Sequence, residues 1–428
     1  SDELPEEVLE EIFNPDYGRT LNLNDLQKRM KELQKWFSDQ GYSLARISGP
    51  ERVSPEGEVT LKLTQGEVAG IEVEFVNKEG ETTDENGNPI GGKTKDWVVT
   101  REISIKPGDP FNRNLLEKDI KRLYGTQLFS DIKVSLRPVP EQPGDVVIVL
   151  GIVEQSTGQV SGGLGYSQSQ GVFGQVQLQD TNLLGRAWNL GLNVTYGQYG
   201  ALANVNFTDP WIYGDSHRTS FRGSLFISQQ VPQVFQSEDS GNIRTVDGYA
   251  DNGNKYAYNI NQDNNPADDT FNSVNKAEKE FPDRSWFDYE GDAVALRRIG
   301  GSFSFSRPLN GGDPFKSTPW RALAGLSIAN VRPINFAGES RPYGVSTSNF
   351  KNGKVKNKDI ICVGFNCADS NDLVGLRLAT TYNNLNDARN PTEGSFFTLS
   401  TEQFIGVNED SPTFNRLRGS YTRFFPVN

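Results

Sequence analysis

From Val160 to near its end, the chain alternates apolar and polar residues with a period of two. Trp188, Leu190, Leu192, Val194 and Tyr196 interleave with Asn189, Gly191, Asn193 and Thr195. Ala201, Ala203, Val205 and Phe207 interleave with Leu202, Asn204, Asn206 and Thr208. Successive side chains of a β-strand point to opposite faces, so each face of such a run carries one chemistry. The pattern predicts ten strands, at 159–167, 171–180, 186–197, 200–208, 216–228, 294–306, 319–331, 371–381, 394–405 and 414–425. One face is apolar; the other is mostly neutral Asn, Gln, Ser, Thr and Gly. A soluble sandwich buries its apolar face and shows charges to water, whereas a membrane barrel turns the apolar face to lipid and the polar face to a wet lumen.

The connections point the same way. Thr181 to Gly185 is a short turn, whereas about 229–292 and about 333–372 are long and polar. Short turns on one side and long loops on the other are the asymmetry of outer-membrane barrels. Trp188, Tyr196, Trp211, Tyr213, Trp320, Phe424 and Phe425 cluster near strand ends, as an interfacial girdle does.

The first 156 or so residues follow a different pattern. Leu4 to Phe13 reads as a helix, and Leu26, Met30, Leu33, Trp36 and Phe37 mark one face of a second helix over 24–40, stopped by Gly41. Strands follow near 44–47 and 58–63. Val68 to Val76 alternates as a strand, 97–103 suits a short helix, and Asn112 or Asn114 caps a helix carrying Leu116, Ile120, Leu123 and Tyr124. Strands at 132–136 and 145–153 complete a β-α-α-β-β unit. The earlier unit reads α-α-β-β, without an opening strand.

Composition removes several classes. The 428 residues carry a net charge of −12, the wrong sign for a nucleic-acid protein. No run of about 18 apolar residues is present, so transmembrane helices are excluded while strands are not. The start, Ser1 to Pro5, is not a signal peptide.

Little in the chain suggests catalysis, cofactor or metal binding. There is no Walker A sequence, no G-x-S-x-G and no H-E-x-x-H. The only histidine, His217, reads as a strand-end or turn residue. Gly162 to Gly165 lies in a strand with no following helix, so a phosphate role does not fit. The acidic stretches Ser237–Asp251 and Asp263–Asp269 lack calcium-loop spacing and read as solvated loops. Cys362 and Cys367, a lone C-x4-C pair, are too few ligands for zinc and favour a local disulfide over free thiols. Arg297, Arg298, Arg321, Arg377, Arg416 and Arg418 are divided between lumen-facing and interfacial readings.

Three motifs carry a family resemblance. The run Arg122–Ile132 (RLYGTQLFSDI) resembles the signature of POTRA domains, the soluble β-α-α-β-β arms of one outer-membrane superfamily. Asn206–Ile212 (NFTDPWI), with Asp209, Pro210 and Trp211, resembles the ending of that superfamily's fourth barrel strand. Asp387–Gly394 (DARNPTEG), with Asp387, Arg389, Pro391, Thr392 and Gly394, is similar to a strand entry in the same proteins. The chain thus resembles, over essentially its whole length, the POTRA–β-barrel superfamily of outer-membrane assembly and translocation proteins, BamA-like. In style it is most similar to cyanobacterial members, relatives of the chloroplast Toc channel.

The resemblance implies a partial POTRA domain at 1–66 lacking its first strand, a complete one at 67–156, and the first part of a transmembrane barrel at 157–428. About ten strands are present of an expected sixteen or so, and the family's Val-Arg-Gly motif is not found, so the barrel is expected to be incomplete in this chain. It also implies an outer-membrane location with periplasmic POTRA domains, or a chloroplast outer envelope as the alternative. The implied function is insertion of unfolded outer-membrane β-barrel proteins, with polypeptide translocation as the alternative. Implied partners are those clients, outer-membrane lipid, and periplasmic chaperones or accessory proteins. Ile132, Lys133, Val134, Ser135 and Leu136 form the candidate client-binding edge. Val160, Ser161, Gly162, Gly163, Leu164, Gly165 and Tyr166 form the candidate weak seam.

Overall fold

The computed structural model describes residues 4–236, 243–245, 249–251, 254–256, 293–335, 337–346, 360–387 and 390–426. They form two compact units. The first is 1–157 together with 182–187; the second is 158–181 with 188–428.

The first unit opens with helices α1 (Glu6–Phe13) and α2 (Leu23–Asp39), then β1 (Arg46–Val53) and β2 (Val59–Thr64), paired antiparallel. Asn22 caps α2, its Oδ1 accepting from the Asn24 amide at 2.9 Å. Gly41 follows the helix at φ +99°, a conformation that suits a residue without a β-carbon. Leu33, Phe37 and Ala45 are buried, with Leu9, Phe13, Ile47 and Leu63 packed around them.

A second subdomain follows: β3 (Val68–Phe75), α3 (Asp96–Thr100), α4 (Arg113–Gly125), β4 (Phe129–Pro138) and β5 (Val146–Glu154). Its sheet runs β3-β5-β4, with β3 parallel and β4 antiparallel to the central β5. β5 is buried on both faces, with Ile148, Leu150 and Ile152 on one and Val149 and Val153 on the other, which matches its unbroken apolar run. Helix α3 stops three residues before the predicted Ile103. The amides of Glu102 and Ile103 bond three residues back, to Val99 and Thr100, in turns. Asn112 caps α4, its Oδ1 accepting from the Leu115 amide at 3.1 Å. Asp119, fully buried on α4, accepts from the Ser104 amide at 2.7 Å and from the Ser104 hydroxyl, and pairs with Arg122.

The second unit is dominated by one antiparallel sheet of ten strands: β6 (Gly158–Ser167), β7 (Gly171–Leu183), β8 (Trp188–Gly197), β9 (Gly200–Asp209), β10 (Ser220–Gln230), β14 (Ala295–Pro308), β15 (Trp320–Ile334), β18 (Asn371–Asn383), β19 (Gly394–Gly406) and β20 (Phe414–Phe424). The strands pair strictly in chain order, and β6 and β20 are the two ends of the sheet. All ten predicted strands are present. β10 begins at Ser220 rather than 216 because Asp215 accepts from the His217 and Thr219 amides and holds those residues in a turn.

The register fixes the two faces. Val205, Leu225, Gly301, Ile328, Val374 and Ile405 form one cross-strand row. Leu225, Ile328 and Ile405 in that row are 67%, 61% and 55% exposed. An apolar sheet face this open needs a nonaqueous solvent. A 13-residue strand such as β7 is roughly 44 Å long and, tilted about 45°, covers roughly 31 Å, close to the hydrocarbon thickness of a bilayer. Trp188, Phe207, Phe221 and Phe305 continue the apolar face as an aromatic row with ring centroids 5.2 to 6.2 Å apart.

The long connections contain small elements that the alternation did not reveal. β11 (Ile243–Thr245), β16 (Tyr343–Ser346) and β17 (Ile360–Cys362) make a three-stranded sheet, and β12 (Tyr249–Asp251) pairs with β13 (Asn254–Tyr256). Strands of three or four residues are too short to display a period. Cys362 and Cys367 form a disulfide beside this sheet. The predicted acidic stretch Asp263–Asp269 lies outside the described residues, as does Ser237–Asp251 apart from β11 and β12.

Candidate functional site

Strand β4 lies at an edge of its sheet, and residues 132–136 are its middle. The Ile152 carbonyl accepts from Val76, on the side away from β4, so the opposed Ile132 turns its own backbone groups outward. By alternation Val134 and Leu136 also direct N–H and C=O away from the sheet. Their side chains are 41% and 36% exposed, whereas Ile132 is buried.

The outward amide of Ile132 is occupied. It donates to the Tyr124 hydroxyl at 3.0 Å, and that hydroxyl donates to Asp131 at 3.0 Å. Burial is the main cause that raises the Tyr124 phenol above its ordinary range, with the Asp131 carboxylate adding to it. Tyr124 therefore covers the start of the edge and leaves Val134 and Leu136 as its open donors. The tyrosine belongs to the RLYGTQLFSDI run, but its hydroxyl's contact with a strand eight residues on is a tertiary fact with no local sequence signal.

Strand β6 is the first strand of the described sheet and pairs with β7. Val160, Leu164 and Tyr166 are at least 77% exposed and share one face. Ser161 and Gly163 are on the other face, opposite Gln177 and Gln175. A β-carbon on Gly163 would meet nothing within 4 Å, while one on Gly165 would lie 2.7 Å from the Phe173 ring. Gly162 opposes Val176. The strand is thus built largely from residues that contribute little packing.

The remaining singled-out residues build turns. The Trp211 amide donates to Asp209 at 3.2 Å and its indole to the Asp215 carbonyl at 2.6 Å. Pro210 starts this turn, and the Arg218 guanidinium stacks 4.4 Å from the Trp211 ring. Burial opposes the charge of Asp215, but the Thr219 hydrogen bonds, the Arg307 guanidinium and the His217 amide outweigh it and hold the carboxyl below its ordinary value. His217 is thus a member of a structural turn.

In the other turn, Asp387 accepts from the Asn390 amide. Asn386, which precedes the motif, is its hub: its Oδ1 accepts from the amides of Thr392 and Glu393, and its Nδ2 donates to the Thr392 hydroxyl at 2.7 Å. Pro391 immediately precedes those amides. Gly394 adopts φ +110° with the Asn384 carbonyl 2.5 Å from where a β-carbon would sit. Arg389 lies outside the described residues. Among the described residues no group of three or more potential metal ligands is assembled.

A soluble arm of β-α-α-β-β type and a ten-stranded sheet with one apolar and one polar face define a POTRA–β-barrel outer-membrane protein. The sequence-family model described as "Omp85 superfamily domain" matches residues 182–428, and two POTRA-type models, "Surface antigen variable number repeat" and "POTRA domain, ShlB-type", match 88–155 and 1–66. The chain belongs to the Omp85 superfamily. It is 27% identical over 223 residues to outer envelope protein 80 of rice chloroplasts, covering 51% of this chain and 32% of that protein. It is 29% identical over 224 residues to the outer membrane protein assembly factor BamA of Nitratidesulfovibrio vulgaris, covering 51% and 26%. The crystal structure of Haemophilus ducreyi BamA lacking POTRA domains 1–3 superimposes with a TM-score of 0.51 at 16% identity, covering all of this chain and 66% of that one, which speaks to fold alone. These matches span about a third or less of the length of the two curated relatives. Those relatives are outer-membrane and outer-envelope proteins, and the chain takes its place among them as an outer-membrane protein.

Proposed function

We propose that this chain works in inserting β-barrel client proteins into the outer membrane, with β4 as a capture edge and β6 as a templating seam. In this reading residues 1–66 and 67–156 belong to two POTRA domains and 157–428 to the barrel. An extended client segment pairs with the open backbone groups of Val134 and Leu136. Four such hydrogen bonds contribute only about 0.5–1.5 kcal/mol each, so capture is weak and reversible. A client hairpin then pairs with β6, whose glycines offer little side-chain packing to displace. The observation that carries the proposal is the conjunction, in one chain of this superfamily, of an edge strand with outward backbone groups on the soluble arm and a glycine-rich first strand in the membrane sheet. The partners are unfolded barrel proteins and outer-membrane lipid.

The test is cysteine crosslinking from Ser161→Cys to a radiolabelled client during insertion into liposomes that contain the protein. An adduct that appears and then decays as the client folds is the expected result. Conductance through the protein that a presequence-like peptide blocks, with no client inserted and no adduct, would replace insertion with translocation.

A further inference from the structure

The polar face of the ten-stranded sheet carries arginines in several rows, and one row holds three of them. Arg222, Ser304, Gly325, Arg377, Glu402 and Arg416 follow one another across six adjacent strands, each paired with the next. Arg418 lies two positions along β20 from Arg416, on the same face, opposite Ser400. Arg298 and Arg321 share that face, opposite Ser228 and Pro308. Among the described strand residues of this sheet, Glu402 is the one carboxylate on the polar side, since Asp180, Asp209 and Asp372 have the parity of Leu178, Phe221 and Val374.

Glu402 is already engaged: it pairs with Arg416, which also lies 5.1 Å from the Phe404 ring, and accepts from the Ser327 hydroxyl at 3.5 Å. Arg222, Arg377 and Arg418 have no carboxylate partner among the described residues. On a protein of net charge −12, Arg222, Arg377 and Arg418 are thus exposed guanidinium groups with no carboxylate beside them among the described residues.

We propose that this face is a binding surface for the carboxylates of an extended acidic polypeptide. The guanidinium fork matches a carboxylate in shape and charge. The spacing fits as well. Three strand steps separate Arg222 from Arg377, roughly 14 Å at about 4.8 Å each, and the side chains on one side of an extended peptide recur every 6.7 Å or so, about 13 Å for alternate ones. The sign matters in another way. Segments of the transit-peptide kind are Arg-rich and poor in acid, and this row repels them. The surface is defined by register and charge alone, and stands or falls independently of whether the chain inserts clients.

The test is titration of fluorescein-labelled deca-glutamate and deca-lysine against the full chain in detergent, at low and high chloride. Deca-glutamate is expected to bind, with affinity falling steeply in high chloride, and deca-lysine not to bind. The triple variant R222Q/R377Q/R418Q should weaken deca-glutamate at least tenfold, and E402Q, which releases Arg416, should tighten it severalfold. Circular dichroism keeps a folding failure apart from lost binding, and any one of the three arginine substitutions alone should still give a measurable loss. Equal binding of both peptides, indifference to the arginines, or weaker binding by E402Q overturns the proposal, as does an inorganic polyphosphate binding tighter than the peptide by the same arginines.

Discussion

Asn182 donates from Nδ2 to the Thr94 hydroxyl at 2.8 Å, joining two buried side chains 88 residues apart. The link continues in both directions. The Asn182 Oδ1 accepts from the Ala187 amide at 2.8 Å, and Glu154 accepts from the Thr94 amide at 2.7 Å and from its hydroxyl. The Lys95 amide donates to the Gly185 carbonyl at 2.8 Å, and Ala187 belongs to the apolar core of the first unit. The turn 182–187 is therefore a structural part of that unit, although β7 and β8 flank it in sequence.

Breaking this relay should cost more than one ordinary hydrogen bond, because each partner is left buried and unsatisfied. Asn182→Ala and Thr94→Val are each expected to destabilise the first unit by about 1–3 kcal/mol. Amide exchange at Lys95, Gly185 and Ala187 should accelerate in both variants. Gly185→Ala should be at least as damaging, since its φ is +73° and a β-carbon would lie 1.8 Å from the Lys93 carbonyl. Unchanged exchange in all three variants would show that the turn is held by something else.

The buried carboxylate of Asp119 invites a second test. Asp119→Ala strands the Ser104 amide and hydroxyl and removes the carboxylate that pairs with Arg122. Removing one member of a buried ion pair typically costs about 3–5 kcal/mol, so the variant should unfold at markedly lower denaturant. Asp119→Asn keeps an acceptor and should recover part of the loss. The ordering wild type, Asn, Ala is the measurable claim.

Tyr124→Phe isolates the role given to the phenol. The variant keeps the ring and removes the hydroxyl that Ile132 donates to and that donates to Asp131. Exchange of the Ile132 amide should rise selectively, with a stability loss of about 1 kcal/mol. If the hydroxyl also restricts the edge, an extended peptide should crosslink nearer Ile132 in the variant than in the parent.

Legibility followed the length scale of each signal. The ten strands were readable because lipid on one side and water on the other force every residue of a strand of ten or more to declare its face. Helices α2 and α4 were readable because their apolar stripes, and the stop and cap residues Gly41 and Asn112, are local signals. Tyr124 and Asn182 were not. Their partners are selected by packing, and a lone Tyr or Asn looks the same whether or not a distant amide needs it. β11, β16 and β17 escaped for a different reason, spanning at most two periods of the pattern that reveals strands. The arginine row was half visible: the arginines were evident, but only the register shows that Arg222, Arg377 and Arg416 fall in line.

The two seam glycines separate sterics from mechanism. Gly163→Val places its side chain in open space and should fold normally, while stiffening β6 and raising its strand propensity. Gly165→Val must displace the Phe173 ring and should lower thermal stability as well. Client insertion in a reconstituted assay should slow in both, with only Gly165→Val showing a lower melting temperature. Full activity in Gly163→Val would sink the templating role of the strand.

Acid should act on the turn that Asp215 organises. Its carboxyl is held below the ordinary value, with the Thr219 hydrogen bonds and the Arg307 guanidinium overcoming its burial. A carboxyl depressed in the folded state contributes stability that is fully present above its unfolded pKa and is lost as pH falls through the lower folded value. The order of the turn should therefore be flat across neutral pH and fall only below the usual carboxylate range. Trp211, whose indole donates to the Asp215 carbonyl, reports on the same turn through its fluorescence. Asp215→Asn should remove the acid-dependent part of that signal while leaving the neutral-pH spectrum close to the parent's. A transition that persists unchanged in Asp215→Asn would assign the acid sensitivity to another carboxylate.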